Sequence, residues 1–250
     1  MDFPLKGKVA LITGGSRGIG KATALGFARA GADVVVVSRK LDELEKVAGE
    51  IRGMGRESLA IEAHVGRLEQ IENLVAKTLD KFKRIDILVN NAGTNPTLAS
   101  ALDIEERAWD AIMNLNLKGL FFLSQKVARV MKEQGGGCII NVASVDGFSP
   151  GTVPVYSISK AGVIMATKVL AREVAKYGIR VNAIAPGLVN TAFSQALRDN
   201  PEIFGKIMDK VPMGRPAEPE EMVGTMLYLA SDAASYVTGT VVVVDGGQLI

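Results

Sequence analysis

Seven short runs rich in β-branched residues alternate with amphipathic stretches along this chain, and that rhythm narrows its possible folds more than any other feature. Val9–Thr13, Val34–Ser38, Ser58–Ala63, Ile85–Asn90, Cys138–Val142, Arg180–Ala185 and Val241–Val244 read as strands. They are continuously apolar more than alternating, the pattern of strands covered by helices on both faces of a parallel sheet. Between them Lys21–Ala30, Leu41–Ile51, Ile71–Phe82, Trp109–Met131, Ile158–Tyr177 and Glu220–Ala230 read as those helices. The expected fold is α/β, one doubly wound parallel sheet of seven strands with right-handed crossovers. No linker, repeat or low-complexity segment breaks the pattern, so residues 1–250 are expected to form a single domain. The irregular stretch Asn190–Arg215, rich in Pro, Gly and Met, is expected to be a weakly helical insert of the kind that serves as a lid.

Composition excludes several classes of function. With 48% hydrophobic and 22% charged residues the chain is expected to fold rather than stay disordered. A net charge of +2, spread without a dense basic run and with few aromatic residues, argues against nucleic-acid binding. The apolar runs fall far short of the roughly 20 residues that span a bilayer. The opening MDFPLKGKVALIT places an acid and a proline where a signal peptide would be basic, so export is not expected. Cys138 is the only cysteine, which rules out an internal disulfide and a structural zinc cluster; flanked by Ile139 and Ile140, it reads as a buried strand thiol. A reducing cytoplasm fits, and no metal is expected.

Two local patterns carry chemistry. The first strand runs into Thr13-Gly14-Gly15-Ser16-Arg17-Gly18-Ile19-Gly20 and then a helix. Glycines let that backbone turn sharply and approach a pyrophosphate, held by the N–H groups and dipole of the helix start. The second strand ends at Ser38, followed by Arg39 and Lys40, with no carboxylate for a free ribose 2′-OH. Ser38, Arg39 and Arg17 suit a 2′-phosphate instead, so NADP(H) is the expected cofactor.

The second pattern is Tyr156-x-x-x-Lys160. Four helical steps turn about 400° and climb about 6 Å, which puts both side chains on one face. An ammonium at about 4 Å in an effective dielectric of about 20 favours a phenolate by about 4 kcal/mol, and burial opposes part of that. The phenol is therefore expected between its reference pKa of about 10 and neutrality, where it can exchange a proton with an alcohol or carbonyl oxygen. The spacing alone suits an ordinary exposed helix face better than a catalytic pair, so the case for chemistry rests on the rest of the chain.

The motifs occur in a telling order: Thr13-Gly14-x-x-x-Gly18-x-Gly20, Asn90-Asn91-Ala92-Gly93, Asn116, Ser144, Tyr156-x-x-x-Lys160, Pro186-Gly187 with Thr191, and Asp245-Gly246-Gly247. Over its whole length the chain resembles a short-chain dehydrogenase/reductase, in particular NADP-dependent carbonyl and 3-oxoacyl-carrier-protein reductases. The resemblance implies a Rossmann-type fold and hydride transfer between NADP(H) and a carbonyl carbon. Tyr156 would be the general acid/base, Ser144 would hold the substrate oxygen, and Lys160 would bond the nicotinamide ribose and lower the Tyr156 pKa. Asn116 would fix Lys160 through a water and complete a proton relay; Asn114 is a rival, but Asn116–Gly119 continues as Asn-Leu-x-Gly. Gly14, Ser16, Arg17, Gly18, Ile19 and Gly20 would take the pyrophosphate side of the cofactor, Ser38 and Arg39 the 2′-phosphate. Asn90, Asn91, Ala92 and Gly93 would sit beside the cofactor, and Pro186, Gly187, Val189 and Thr191 on its nicotinamide side. Where the family usually has Asp-Val next to the adenine, this chain has His64-Val65, and His64 is expected to edge the adenine pocket.

The resemblance also implies a homotetramer, formed through the long helices and the C-terminal strand region. Val145, Phe148, Val153, Leu188, Phe193, Leu197, Ile203, Phe204 and Met208 are expected to line an apolar substrate pocket. The expected partner is a small carbonyl or alcohol compound, apolar or acyl. Arg129 and Arg172 stand where some relatives dock an acidic acyl carrier, so 3-oxoacyl-carrier-protein reduction is the alternative to a broader carbonyl reductase. A cofactor-sensing protein without catalysis is a third reading, opposed by the complete set Asn116, Ser144, Tyr156 and Lys160.

Overall fold

The sheet grows in two directions from a central strand, β1 (Val9–Thr13). From β1 the chain passes through helix α1 (Gly18–Arg29) to β2 (Asp33–Ser38), then through α2 (Leu41–Gly53) to β3 (Ser58–Glu62) at one edge. Helix α3 (Leu68–Phe82) carries it back across β1 to β4 (Ile87–Asn90) on the other side. There follow α4 (Glu106–Met113), α5 (Leu120–Glu133), β5 (Gly137–Val142), α6 (Pro154–Val174), β6 (Ile179–Pro186), the short α7 (Gln195–Arg198) and α8 (Pro201–Met208), α9 (Val223–Ala230) and β7 (Val241–Val244). The strand order is β3-β2-β1-β4-β5-β6-β7 and every neighbouring pair is parallel. This is a computed structural model, and it describes residues 3–250.

Period-two alternation along the strands fills two layers of core. Ala10, Ile12, Val34, Val36, Ile87 and Val89 face α1, α2 and α9, where Phe27, Leu44, Ile51 and Met226 are buried. Val9, Leu11, Val35, Val37 and Leu88 face the other way, onto Leu74 of α3, Leu123 and Met131 of α5 and Leu170 of α6. Both faces are covered, as the unbroken apolar runs require. Cys138 belongs to the first layer; its thiol donates to the Leu229 carbonyl oxygen at 3.3 Å, and burial pushes its pKa up to about 11, so it is inert.

Three of the departures from the expected helical spans have local reasons. α1 starts at Gly18, three residues before Lys21, directly after the extended Arg17. Trp109–Met131 is not one helix: a π-helical turn, Asn114–Gly119, separates α4 from α5. Pro154 stands in the first turn of α6, where its missing N–H costs nothing, so that helix begins four residues before Ile158 and includes both Tyr156 and Lys160.

A chain of buried polar side chains ties the strands to the helix that carries Tyr156. Asn90 Nδ2 donates to Ser124 Oγ at 2.8 Å and to Asn141 Oδ1 at 2.9 Å, and Asn141 Nδ2 donates to Thr167 Oγ1 at 2.9 Å. The Ser124 and Thr167 hydroxyls donate to the Leu120 and Val163 carbonyl oxygens. Asn90 is thus a cross-brace inside the fold and not a neighbour of the cofactor cleft, which corrects its expected place. Truncating Asn141 to Ala strands a donor of Asn90 and an acceptor on Thr167. The expected cost is about 2 kcal/mol of stability, read by denaturant unfolding; a loss under about 0.5 kcal/mol would contradict the brace.

Candidate active site

Because β2 and β4 lie on opposite sides of β1, the turns after β1 and β4 leave the sheet side by side, and a crevice opens at their carboxyl ends. Thr13 joins the two turns. Its Oγ1 accepts the backbone N–H groups of Asn91 and Ala92, each at 3.0 Å, and donates to the Val89 carbonyl oxygen at 3.3 Å. Asn91 Nδ2 reaches back to the Thr13 and Gly14 carbonyl oxygens at 2.9 and 3.3 Å. Gly14 and Gly18 hold positive φ angles of 66° and 54°, which only glycine adopts freely. A Cβ on Gly20 would collide with the Gly14 carbonyl oxygen and with Asn91 Nδ2, so the α1 helix can approach the turn only at a glycine. Backbone N–H groups and a helix N-terminus therefore face the cleft, which is the cradle a pyrophosphate needs.

The cleft encloses about 810 Å³. Of the residues singled out in the sequence, Gly14, Ser16, Arg17, Gly18, Ile19, Ser38, Arg39, His64, Val65, Asn91, Ala92, Gly93, Ser144, Tyr156, Lys160, Pro186, Gly187, Val189 and Thr191 line it. Gly20 and Asn116 do not: Gly20 packs behind the turn and Asn116 is 1% exposed behind the wall. Among the apolar residues expected at the substrate, Val145, Leu188, Phe193 and Leu197 line the cleft, but Phe148, Val153, Ile203, Phe204 and Met208 do not. Only the end of α8 reaches the cleft, through Lys206, Ile207 and, just beyond, Lys210; Phe204 lines a separate hollow with Asn190 and Arg198.

At the adenosine end, Arg17, Ser38, Arg39 and Lys40 are joined by Glu43, a carboxylate that reading the strand end alone misses. Glu43 bonds Lys40 at 3.0 Å, and that bond, with Arg17 and Ser16 nearby, holds its carboxyl below the usual range. Together with Asp42 it also supplies acid to the first turn of α2, offsetting the cations at that helix start. His64 Nδ1 accepts the Gly66 N–H at 3.1 Å. Burial first, then Arg39 and Arg67, push the imidazole below its ordinary value, so it is neutral near pH 7 with its proton on Nε2.

The reactive end is assembled from three segments. Ser144 ends the strand β5 side of the cleft, its Oγ accepting the Asp146 N–H at 3.2 Å. Tyr156 and Lys160 stand one turn apart on α6, and the Phe193 ring lies 5.7 Å from that of Tyr156. Asn116 sits in the π-helical turn, a local expansion often found at functional sites. Its amide is fully engaged: Nδ2 donates to the Thr94 carbonyl oxygen and Ser159 Oγ at 3.0 and 3.1 Å, and Oδ1 accepts the Thr94 N–H at 2.8 Å. It clamps the turn after β4 to α6.

The electrostatics differ from the sequence expectation. Burial pushes the Tyr156 phenol above its ordinary pKa, Asp146 pushes it further, and a hydrogen bond from the Ser144 side chain opposes them. Desolvation, and not Lys160, dominates the phenol. The ammonium is itself disfavoured by burial, its pKa brought down to about 8, and its Nζ donates to the Val142 carbonyl oxygen at 2.6 Å. Desolvation acts on both members of the pair, and it outweighs their attraction.

The family model described as enoyl-(acyl carrier protein) reductase matches residues 14–248. The chain is 43% identical to a 3-oxoacyl-[acyl-carrier-protein] reductase of Synechocystis over 98% of both proteins. It is 42% identical to the 2-dehydro-3-deoxy-D-gluconate 5-dehydrogenase of Escherichia coli over 99% of this chain and 97% of that one. Among solved structures, L-sorbose reductase of Gluconobacter frateurii, complexed with NADPH and L-sorbose, superposes with a TM-score of 0.92 at 36% identity, covering 100% of this chain and 99% of the other.

The buried Lys160 sets a pH dependence. Its pKa is about 8 folded against 10.5 as the reference, so within that window the unfolded chain binds more protons and stability rises with pH. Tyr156, whose pKa is raised, opposes this only above about pH 10. Between about pH 7 and about pH 9.5 the Lys160 contribution is about 2 kcal/mol. Denaturant unfolding at those two pH values is expected to show this gain in the wild type and to show it abolished in Lys160→Met; an equal gain in both would refute the assignment.

Proposed function

This chain belongs to the short-chain dehydrogenase/reductase family of oxidoreductases acting on CH–OH and C=O groups, and we propose that Tyr156 is the proton donor in its NADPH-dependent reduction of a ketone to an alcohol. The observation that carries this reading is the convergence of the Tyr156 phenol, the Ser144 side chain and Lys160 on one cleft whose other end is a phosphate cradle. NADPH, when bound, supplies the hydride. The backbone of the Gly14–Ile19 turn and the start of α1 hold the pyrophosphate, and Arg17, Ser38, Arg39 and Lys40 surround the 2′-phosphate. His64 and Val65 border the adenine; Ala92, Gly93, Pro186, Gly187, Val189 and Thr191 shape the nicotinamide half.

Ser144 donates to the substrate oxygen and positions it against Tyr156. A phenol held above its ordinary pKa stays protonated at neutrality and yields its proton only to a strongly basic oxygen. A carbonyl oxygen becomes one as charge develops on it, so the raised value favours the reductive direction. Lys160 bonds the nicotinamide ribose from its place beside Gly93. With both ends of its amide committed to Thr94 and Ser159, Asn116 serves as a positioning residue that keeps α6 and the Gly93 turn in register.

The substrate is a small carbonyl compound whose apolar or acyl part rests on Val145, Leu188, Phe193 and Leu197. Reduction of a 3-oxoacyl carrier is the second reading, supported by Arg129 and Arg172, which are exposed and take part in none of the ion pairs among the described residues. Phe122 on α5, Ile158, Met165 and Val169 on α6, and Val243 on the edge strand β7 are exposed apolar residues that a homotetramer would cover. No helix among the described residues is long and apolar enough to cross a membrane, in keeping with a cytoplasmic enzyme.

Tyr156→Phe removes the transferable proton and little else. Turnover is expected to fall at least about 100-fold, while NADPH binding, read by cofactor fluorescence, changes less than about threefold. Undiminished turnover in that variant would refute the role.

A further inference from the structure

The cleft in front of Tyr156 contains polar groups that proton donation and cofactor binding leave unused. Asp146 lies two residues after Ser144, half-buried, with its carboxylate laid against Gly151, where any Cβ would collide with it. The Asp146 backbone N–H donates to Ser144 Oγ, so the carboxylate and the hydroxyl that holds the substrate oxygen stand on one turn. Neither carboxylate oxygen accepts a hydrogen bond among the described residues, although Asp146 is close enough to Tyr156 to influence its phenol. A second acceptor, Gln248 Oε1, is buried beside Gly187 and has no partner among the described residues either. Lys210, at the end of the insert, lines the same space and interacts with Asp146, offsetting its charge. Asp146 and Gln248 thus offer the cleft acceptor atoms that no described side chain engages, and Lys210 offsets part of the Asp146 charge. A cation is not required there; a neutral hydroxyl donor is the complement.

We propose that Asp146 determines substrate specificity by accepting a hydrogen bond from a hydroxyl on the carbon next to the reacting carbonyl, so that the preferred substrate is an α-hydroxyketone. The inference rests on the carbonyl-reductase reading above and deepens it. With the carbonyl oxygen on Ser144 and Tyr156, a hydroxyl one carbon away extends along the same turn toward residue 146, while the apolar remainder lies on Val145 and Phe193. A site built to bond a hydroxyl discriminates strongly against the analogue that lacks it, because the carboxylate is then desolvated without a partner.

The test uses acetophenone and its α-hydroxy derivative with NADPH, in the wild type, Asp146→Asn and Asp146→Ala. Wild type is expected to prefer the hydroxyketone. Asp146→Ala is expected to lower the ratio of kcat/KM for the hydroxyketone to that for acetophenone at least about tenfold, because the hydroxyketone loses its acceptor while acetophenone no longer meets a carboxylate opposing the Tyr156 phenolate. The nearly isosteric Asn variant, which keeps the shape of the turn, should move the ratio in the same direction by a smaller factor. NADPH binding by fluorescence titration should be unchanged in both, which a misfolded turn would not allow. Equal losses on the two ketones, or none, would overturn the proposal and leave the reductase reading intact, as would reduction of an acetoacetyl thioester with neither aryl ketone accepted. Failure of the wild type to reduce any of the three compounds would overturn that reading and the proposal with it.

Discussion

One hydroxyl holds together the two halves of the cleft. Thr13 Oγ1 takes two N–H groups from the turn after β4 and gives its proton to the Val89 carbonyl, so the glycine turn after β1 cannot shift without breaking three bonds. Each buried bond contributes about 1 kcal/mol, and losing a partner costs about 1–3 kcal/mol. The register of the sheet brings these turns together; the Thr13 bonds make them one surface. Asn91 reinforces the join from the other side, and Gly20 is the residue whose lack of a side chain leaves room for it. The phosphate cradle and the catalytic end are thereby kept at a fixed separation, as hydride transfer demands.

The parts of this arrangement that were legible in the sequence are those set by local pattern. Continuous Val and Ile runs identify strands buried on both faces, the glycines mark the first turn, and four-residue spacing puts Tyr156 and Lys160 on one helix face. The Trp109–Met131 segment shows where that reasoning stops. Its apolar periodicity runs through the π-helical turn without a visible break, because the turn is held by a contact with Thr94, distant in sequence. The motif alone puts Asn90 at the cofactor, yet its side chain points into the helix layer, where its partners Ser124 and Asn141 come from two other elements. Of the insert's apolar residues Phe193 and Leu197 do line the cleft, whereas Ile203, Phe204 and Met208 do not, and the chain there presents Lys206, Ile207 and Lys210 instead. Glu43 and Asp146 were equally hidden, since charge carries no periodic signal and only tertiary packing brings either side chain into the cleft.

The same limit applies to the phenol. A pairwise estimate with a full positive charge on Lys160 lowers the Tyr156 pKa; in the folded chain, burial weakens that charge before it can act, and the Val142 carbonyl engages its proton. What acts on the phenol instead is its own desolvation, the Asp146 carboxylate and the Ser144 hydroxyl, two of the three arising within one short turn. Proton donation and substrate choice then share a group. A substrate hydroxyl bonded to Asp146 would draw its negative charge away from Tyr156 and lower the cost of releasing the proton, whereas a ketone without that hydroxyl would leave the carboxylate opposing the phenolate. On this account the fitting substrate improves the acid that reduces it, and discrimination appears in kcat as well as in binding.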